Sequence, residues 1–236
     1  MLTVAMPAFN EVAQIATSIR SVVGALDATG ERWELVVIDD GSSDGTHAVV
    51  DALAVREPRV RLVRHARNMG VGQAIASGVS AAQGAWFMVI PADLAMDLRD
   101  LDRYLAARDA IDAHSGNDRN GVAVVAGYTA TRPDYSMWRD VVSWANRNAV
   151  ALLVGVQVRN PNYIHLFRVS ALDGPPFRFT GSAALFAEML RRAQPRGKIV
   201  EVPIRYLPRV AGKQTGAKWS LIAKTARDLV RLRLGI

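Results

Sequence analysis

Three carboxylates crowd the segment VIPADLAMDLRD (residues 89–100), where Asp93, Asp97 and Asp100 follow the apolar run Ala85–Ile90 and Pro91 interrupts the sequence. A second acidic pair, Asp39 and Asp40, ends the apolar run ELVVID and opens DDGSSDGT (39–46), rich in turn-forming Gly and Ser. Adjacent acids at a strand end can accept hydrogen bonds from a nucleobase or ribose. The alternative is a solvated βα turn in which Ser42, Ser43 or Asp44 is merely a helix N-cap. A third stretch, RNMGVGQAIASG (67–78), carries Gly70 and Gly72. These are most of a dinucleotide-binding fingerprint, with Asp93 lying about twenty residues on. Four residues separate the preceding strand from Gly70, however, and Ile75 stands where a third glycine or alanine belongs. The glycines are therefore read as letting a loop approach the sheet edge, and an NAD-dependent oxidoreductase rests on this decoy alone.

All three stretches need a scaffold that brings strand ends together. Short apolar runs alternate with helical patterns: LTVAM then Glu11 to Leu26, ELVVID then Gly45 to Val55, VRLVRH then Val71 to Ala82, AWFMVI then Leu98 to Ala110. This is the βαβα signature of an α/β fold, a mostly parallel sheet covered on both faces. Such sheets bind ligands in the crevice beyond the carboxyl ends of their strands. Further on, VAVVAG (122–127) reads as a buried strand, Asp134 to Val154 as a long helix, NYIHLFRV (162–169) as a strand and Gly181 to Ala193 as a helix. KIVEVPIRYL alternates but contains Pro203, which predicts an edge strand. In Trp219 to Leu234, apolar Trp219, Ile222, Ala226, Leu229 and Val230 recur at helical spacing, with Lys224, Arg227 and Arg231 on another face.

The chain has 236 residues and half of its composition is apolar, enough for one sizeable α/β domain. It has no cysteine, and its four histidines (His47, His65, His114, His165) lie at no metal-ligand spacing. No uncharged apolar run approaches the length of a membrane span, and no basic leader precedes the first strand; a cytoplasmic protein is expected. Residues 205–236 carry eight Lys/Arg against one acid, Asp228, which accounts for the whole net charge of +7. The basicity is thus a local surface. It suits an anionic membrane face, or is the solvated side of a docked helix; no aromatic interleaving favours nucleic acid.

PAFNE (7–11), DDGSSDGT, RNMGVGQAIASG and PAD (91–93), in this order and spacing, resemble family 2 glycosyltransferases of the GT-A fold. The nearest likeness is to the dolichyl- or polyprenyl-phosphate sugar transferases. AGYTATRPDYSMWR, VRNPNYIHLFRVSAL and VEVPIRYLPRVAG extend the likeness over nearly all of the chain. The resemblance implies a catalytic domain over 1–216, with 217–236 as a basic amphipathic helix of the same domain or a membrane-surface element. It also implies that Pro7, Ala8, Asn10 and Glu11 flank the base and ribose of a nucleotide sugar, with Asp39 contacting the base and Asp40 nearby. Asn68, Gly70, Ala92, Arg132 and Lys213 join them as donor-binding positions. The family's strand-four Asp-x-Asp binds a divalent cation, Mg²⁺ or Mn²⁺, through its second acid. Asp93 holds that place and Pro91 the first; a Pro-x-Asp variant with a further acid four residues on occurs among relatives, and Asp97 matches it. Arg209 would reach the diphosphate with its forked donors, making Asp93 and Arg209 the catalytic candidates. Beyond Pro91, four residues depart from the pattern. Thr129 replaces the Arg after Gly-Tyr, Asn160 replaces the acceptor-strand Asp, and Gln214-Thr215 replace a Ser-Lys pair.

The implied reaction is inverting transfer from a UDP- or GDP-sugar to a polyprenyl phosphate, by a protein peripheral on the inner face of the membrane. A hydroxyl acceptor would need a positioned base, whereas a phosphate oxygen is already anionic; the missing conspicuous base and Asn160 lean toward phosphate. A soluble acceptor, or a catalytically impaired nucleotide-sugar binder, remains the alternative.

Overall fold

Residues 1–94, 96–112, 121–129, 137–205 and 219–236 of the computed structural model are described, without the side chains of Trp138 and Arg139. In chain order the elements are β1 (Leu2–Ala8), α1 (Ile15–Ala28), β2 (Trp33–Asp39), α2 (Thr46–Ala54), β3 (Val60–Arg64), α3 (Val71–Ala81) and β4 (Trp86–Val89). They continue as α4 (Leu101–Asp112), β5 (Val122–Thr129), α5 (Met137–Ala149), β6 (His165–Arg168), α6 (Ala184–Ala193), β7 (Lys198–Ile204) and α7 (Trp219–Leu234). One sheet runs in the order β3-β2-β1-β4-β6-β5-β7. β6 is antiparallel to both β4 and β5, and the other pairings are parallel.

The strands are apolar on both faces because helices cover both. Leu2, Val4 and Met6 of β1 point into one core with Ile15, Ile19 and Val22 of α1 and Tyr104 of α4. Ala5, Val36 and Phe87 point into the other, with Ala74 of α3, Leu185 of α6 and Leu229 of α7. From β1 the chain steps outward to β2 and β3, then returns to place β4 on the other side of β1. The resulting switch point between β1 and β4 is where an open α/β sheet leaves a crevice beyond its carboxyl ends.

Several elements differ in extent from the sequence expectation. The helix expected from Glu11 starts at Ile15, because the amides of Asn10, Glu11 and Val12 donate to Ser42 Oγ, Thr46 Oγ1 and Asp44 Oδ2 at 2.9, 2.9 and 3.0 Å. Those bonds hold the segment in the loop. The strand expected over 162–169 contracts to β6, and the helix expected from Gly181 begins at Ala184. The start expected at Asp134 lies outside the described residues; α5 runs on into a π-helical turn, Val150–Val154, closed by left-handed Gly155. β7 lies at the sheet edge, as Pro203 predicts.

Helix α7 has the expected bounds but docks by a different side. Thr225, Asp228 and Leu229 are buried, whereas Trp219, Ala226 and Val230 face outward. The expected apolar face is therefore divided between the interior and the surface. Among the described residues, no helix is long and apolar enough to cross a membrane.

Candidate functional site

Parallel pairing aligns the ends of β1, β2 and β3: Ala8 is in register with Asp39, and Asp39 with Arg64. The first two βα loops are then tied to each other. Besides the amide bonds above, Asn10 Oδ1 accepts from the Ser43 amide at 3.0 Å, with Asn10 itself in the left-handed region at φ 56°. Pro7 is half-buried, Ala8 is buried, and Glu11 accepts from the Gln14 side chain. Of the N-cap candidates, Asp44 binds the Thr46 amide and hydroxyl at 2.9 and 2.6 Å, while the N-cap position itself is Gly45.

Asp39 and Asp40 are both buried, at 0% and 3% exposure, so the solvated-turn alternative fails. Burying two adjacent carboxylates is costly unless each is partnered. Asp40 is fully engaged: Oδ1 accepts from His65 Nδ1 at 2.7 Å and the Met69 amide at 2.9 Å, and Oδ2 from the Gly70 amide at 2.8 Å. His65 Nε2 in turn pairs with Ser77 Oγ at 2.9 Å. Asp40 thus holds the β3–α3 loop, and with it Asn68 and Gly70, against the end of β2. Asp39 is engaged on one side only. Its Oδ1 accepts from the Ser42 amide at 3.2 Å, while Oδ2 has no hydrogen-bond donor and faces Arg64 Nε at 3.5 Å. A buried carboxylate oxygen lacking a donor is an acceptor that a ligand can satisfy.

Two glycines explain how closely the loops meet. Gly41 has φ +74°, and a Cβ there would lie 2.3 Å from the Arg67 backbone. A Cβ on Gly72 would meet the Thr180 carbonyl oxygen at 2.0 Å. Close backbone approach thus accounts for Gly72 as expected, but not for Gly70, where a Cβ would meet nothing within 4 Å and the left-handed φ of +92° is what favours glycine.

Beyond β4, the Leu94 amide donates to the Pro91 carbonyl at 3.0 Å, so Pro91–Leu94 forms a turn with Asp93 at its third position. Leu94 sits at φ 48°, a left-handed conformation that is rare for a branched side chain and marks a constrained turn. Buried Ala92 is anchored through its carbonyl, which accepts from Ser18 Oγ at 2.6 Å. Asp93 is half-buried on the corner. Proline suits the end of the strand, because it has no amide with which to continue the ladder.

The other two acids of the segment are buried and taken up by arginines. Asp97 caps the following 3₁₀ turn by accepting from the Arg99 amide at 3.1 Å; it also pairs with Arg99 Nη2 at 2.7 Å and Arg205 Nη1 at 3.2 Å. The Arg99 hydrogen bonds hold its carboxyl below the usual range. Asp100 is fully buried. It accepts from the Arg205 amide at 2.7 Å and from Arg205 Nη2 at 2.9 Å, locking the end of β7 to the start of α4. Sequence reasoning passed over Arg64, His65 and Arg205; only their position just after or at the end of an apolar run could have marked them. Arg132, Arg209, Lys213, Gln214 and Thr215 lie outside the described residues. Among the described residues, no three His, Asp or Glu side chains converge as a metal cage. Thr129 and Asn160, two of the departures from the family pattern, meet: Asn160 Nδ2 donates to Thr129 Oγ1 at 3.2 Å.

The model of "Glycosyl transferase family 2" matches residues 3–140. Dodecaprenyl-phosphate galacturonate synthase of Rhizobium johnstonii is 26% identical over 160 residues, 67% of this chain and 45% of that protein. Undecaprenyl-phosphate 4-deoxy-4-formamido-L-arabinose transferase of Edwardsiella ictaluri is 24% identical over 94% of this chain and 64% of that protein. The chain thus spans less than two-thirds of the length of these relatives. Among solved structures, glucosyl-3-phosphoglycerate synthase from Mycobacterium tuberculosis, in complex with Mn²⁺, UDP and phosphoglyceric acid, superposes with a TM-score of 0.64. It covers all of this chain and 79% of that one at 18% identity, a likeness of fold. With sheet order, switch point and family match in agreement, the chain belongs to glycosyl transferase family 2 and has the GT-A fold.

Proposed function

We propose that the protein transfers a sugar, with inversion, from a nucleoside-diphosphate sugar to a polyprenyl phosphate at a membrane surface. The observation that carries the donor half is the buried, donor-less Oδ2 of Asp39 at the mouth of the switch-point crevice. It accepts an N–H of the base, while Pro7, Ala8, Asn10 and Glu11 border base and ribose, and Asp40 fixes the loop bearing Asn68 and Gly70. Asp93, presented on the Pro91 turn, lies beyond the neighbouring strand, where the diphosphate extends.

A divalent cation fits this donor set, because Mg²⁺ or Mn²⁺ is commonly held by one or two carboxylates together with substrate phosphates and water. Asp93 would hold it. Asp97 is the second candidate, although its bonds to Arg99 and Arg205 compete for the same oxygens. The bound cation supplies charge neutralisation to the departing diphosphate. Arg209, Lys213 and Arg132 are the proposed basic partners of that leaving group.

The acceptor half rests on the named relatives and on Asn160. An amide hydrogen-bonded to Thr129 cannot take a proton from a hydroxyl acceptor, whereas a phosphate nucleophile arrives without one to lose. Replacing a charged pair by a neutral, mutually bonded pair also leaves no orphaned charge, which favours a working transferase over an impaired binder. The test is a transfer assay with UDP- and GDP-sugars, Mn²⁺ and a short polyprenyl phosphate, on the wild type and Asp93→Ala. Transfer by the wild type and its loss in the variant is the expected result. Donor binding without turnover would establish the binding-protein alternative, and undiminished turnover in Asp93→Ala would remove the metal assignment.

A further inference from the structure

A cleft of about 410 Å³ opens between α7 and the segment 178–181, within the size range of small-ligand sites. Arg178, Lys224, Arg227 and Arg231 line it. The last three stand at i, i+3 and i+7 of α7, on one side of the helix. Their one acidic side-chain neighbour in the lining is Asp228, which is buried, with Arg227 Nε 3.8 Å from its Oδ1; Ile236 completes the lining. The contrast with Asp97 and Asp100 is instructive, since there two buried carboxylates answer the arginines around them. In the α7 cleft the lining cations outnumber the acid, and Phe179 supplies an apolar wall. Gly181 lets Lys224 approach; a Cβ there would lie 2.3 Å from Lys224 Nζ.

The same helix carries an outward apolar stripe beside this cleft. Trp219, Ala223, Ala226, Val230 and Leu234 recur at i, i+4, i+7, i+11 and i+15, one face of a helix, and all five are exposed. Arg227 and Arg233 border the stripe. The adjoining α5 repeats the spacing with exposed Met137, Val141 and Trp144, and the π-helical turn that follows adds exposed Leu152. An apolar stripe with tryptophans, edged by arginines and adjoining a cationic cleft, matches an anionic lipid in both parts: acyl region along the stripe, phosphate in the cleft.

We propose that the α7 cleft binds the headgroup phosphate of an anionic phospholipid and so seats the protein on a membrane. It shares no residue with the transfer site between β1 and β4. The proposal rests on the transferase reading only in that the acceptor there is a membrane lipid.

The experiment is co-sedimentation of the protein with vesicles of phosphatidylcholine alone and of phosphatidylcholine mixed with phosphatidylglycerol. Binding should require phosphatidylglycerol. Arg233→Gln, which edges the stripe outside the cleft, should weaken it about fivefold, the factor expected for one cation at an anionic surface, and Lys224→Gln and Arg231→Gln should each weaken it more than that. Equal losses for Arg233→Gln and Arg231→Gln would show diffuse attraction and overturn the site. Inorganic phosphate bound in the cleft, with no vesicle preference, would make it a free-phosphate site and overturn the lipid assignment. A change of oligomeric state in Arg231→Gln would assign the surface to a second copy and overturn it equally. Asp93→Ala should keep vesicle binding intact, so a failed transfer assay leaves this result standing.

Discussion

Replacing Asp39 by asparagine changes one atom of a fully buried side chain and tests the donor site at its centre. The amide oxygen can still accept from the Ser42 amide, now at 3.2 Å from Oδ1, so the loop should hold. The new NH₂ takes the place of Oδ2 and points a donor at Arg64 Nε, 3.5 Å away. Arg64 is 52% exposed in its side chain and can swing into water, so the lost ion pair costs under about 1 kcal/mol of stability. Binding should suffer more. A ligand N–H that met an ionised acceptor now meets a donor, and a charge-assisted hydrogen bond contributes about 1.5–3 kcal/mol, or about 10- to 150-fold in Kd. Calorimetric titration of UDP and GDP into the wild type and Asp39→Asn, with melting temperatures measured alongside, reads both terms. A diphosphate that binds the two proteins equally within about twofold would refute the base contact. An equal loss for a ribose diphosphate lacking the base would move the contact from base to sugar.

Three further outcomes follow from the same geometry. Asp100→Ala leaves the Arg205 amide and guanidinium without their buried acceptor and should cost about 2 kcal/mol in urea denaturation; this is below the ~3–5 kcal/mol of a fully buried pair because the Arg205 side chain is 41% exposed. Thr129→Val and Asn160→Ala should each cost about 0.5–1.5 kcal/mol and be less than additive in the double variant, while strict additivity would show that the 3.2 Å bond contributes nothing. Burial pushes His165 down to about 4, so it stays neutral in the fold while the unfolded chain takes up a proton below pH 6.5. Its contribution is therefore complete above pH 6.5 and declines by about 3 kcal/mol as pH falls toward 4. Denaturation midpoints should fall less steeply over that window in His165→Gln, and equal slopes would refute the assignment.

The helix–strand alternation, the edge position of the proline-bearing strand and the family itself were legible in the sequence, because hydrophobic period and turn chemistry are local properties of the chain. The same holds for the importance of residues just after each strand. Which of those residues face a ligand was not local. Asp39 and Asp40 are adjacent and chemically identical; they part company because β3 brings His65 and the Met69–Gly70 amides to one and leaves the other an oxygen without a donor. Of the three acids after β4, Asp97 is held locally by Arg99 and from a distance by Arg205, and Asp100 is held by Arg205, which the pairing of β7 with β5 delivers; Asp93 sits on the corner of the turn. The helical period of α7 was equally plain, but its buried side was decided by α6 and the π-helical turn it rests on, which cover Thr225, Asp228 and Leu229 and leave Trp219 and Val230 outside. Sequence determines what each residue can do; partners contributed by segments distant in the chain decide whether a carboxylate is spent on the fold or kept for a ligand.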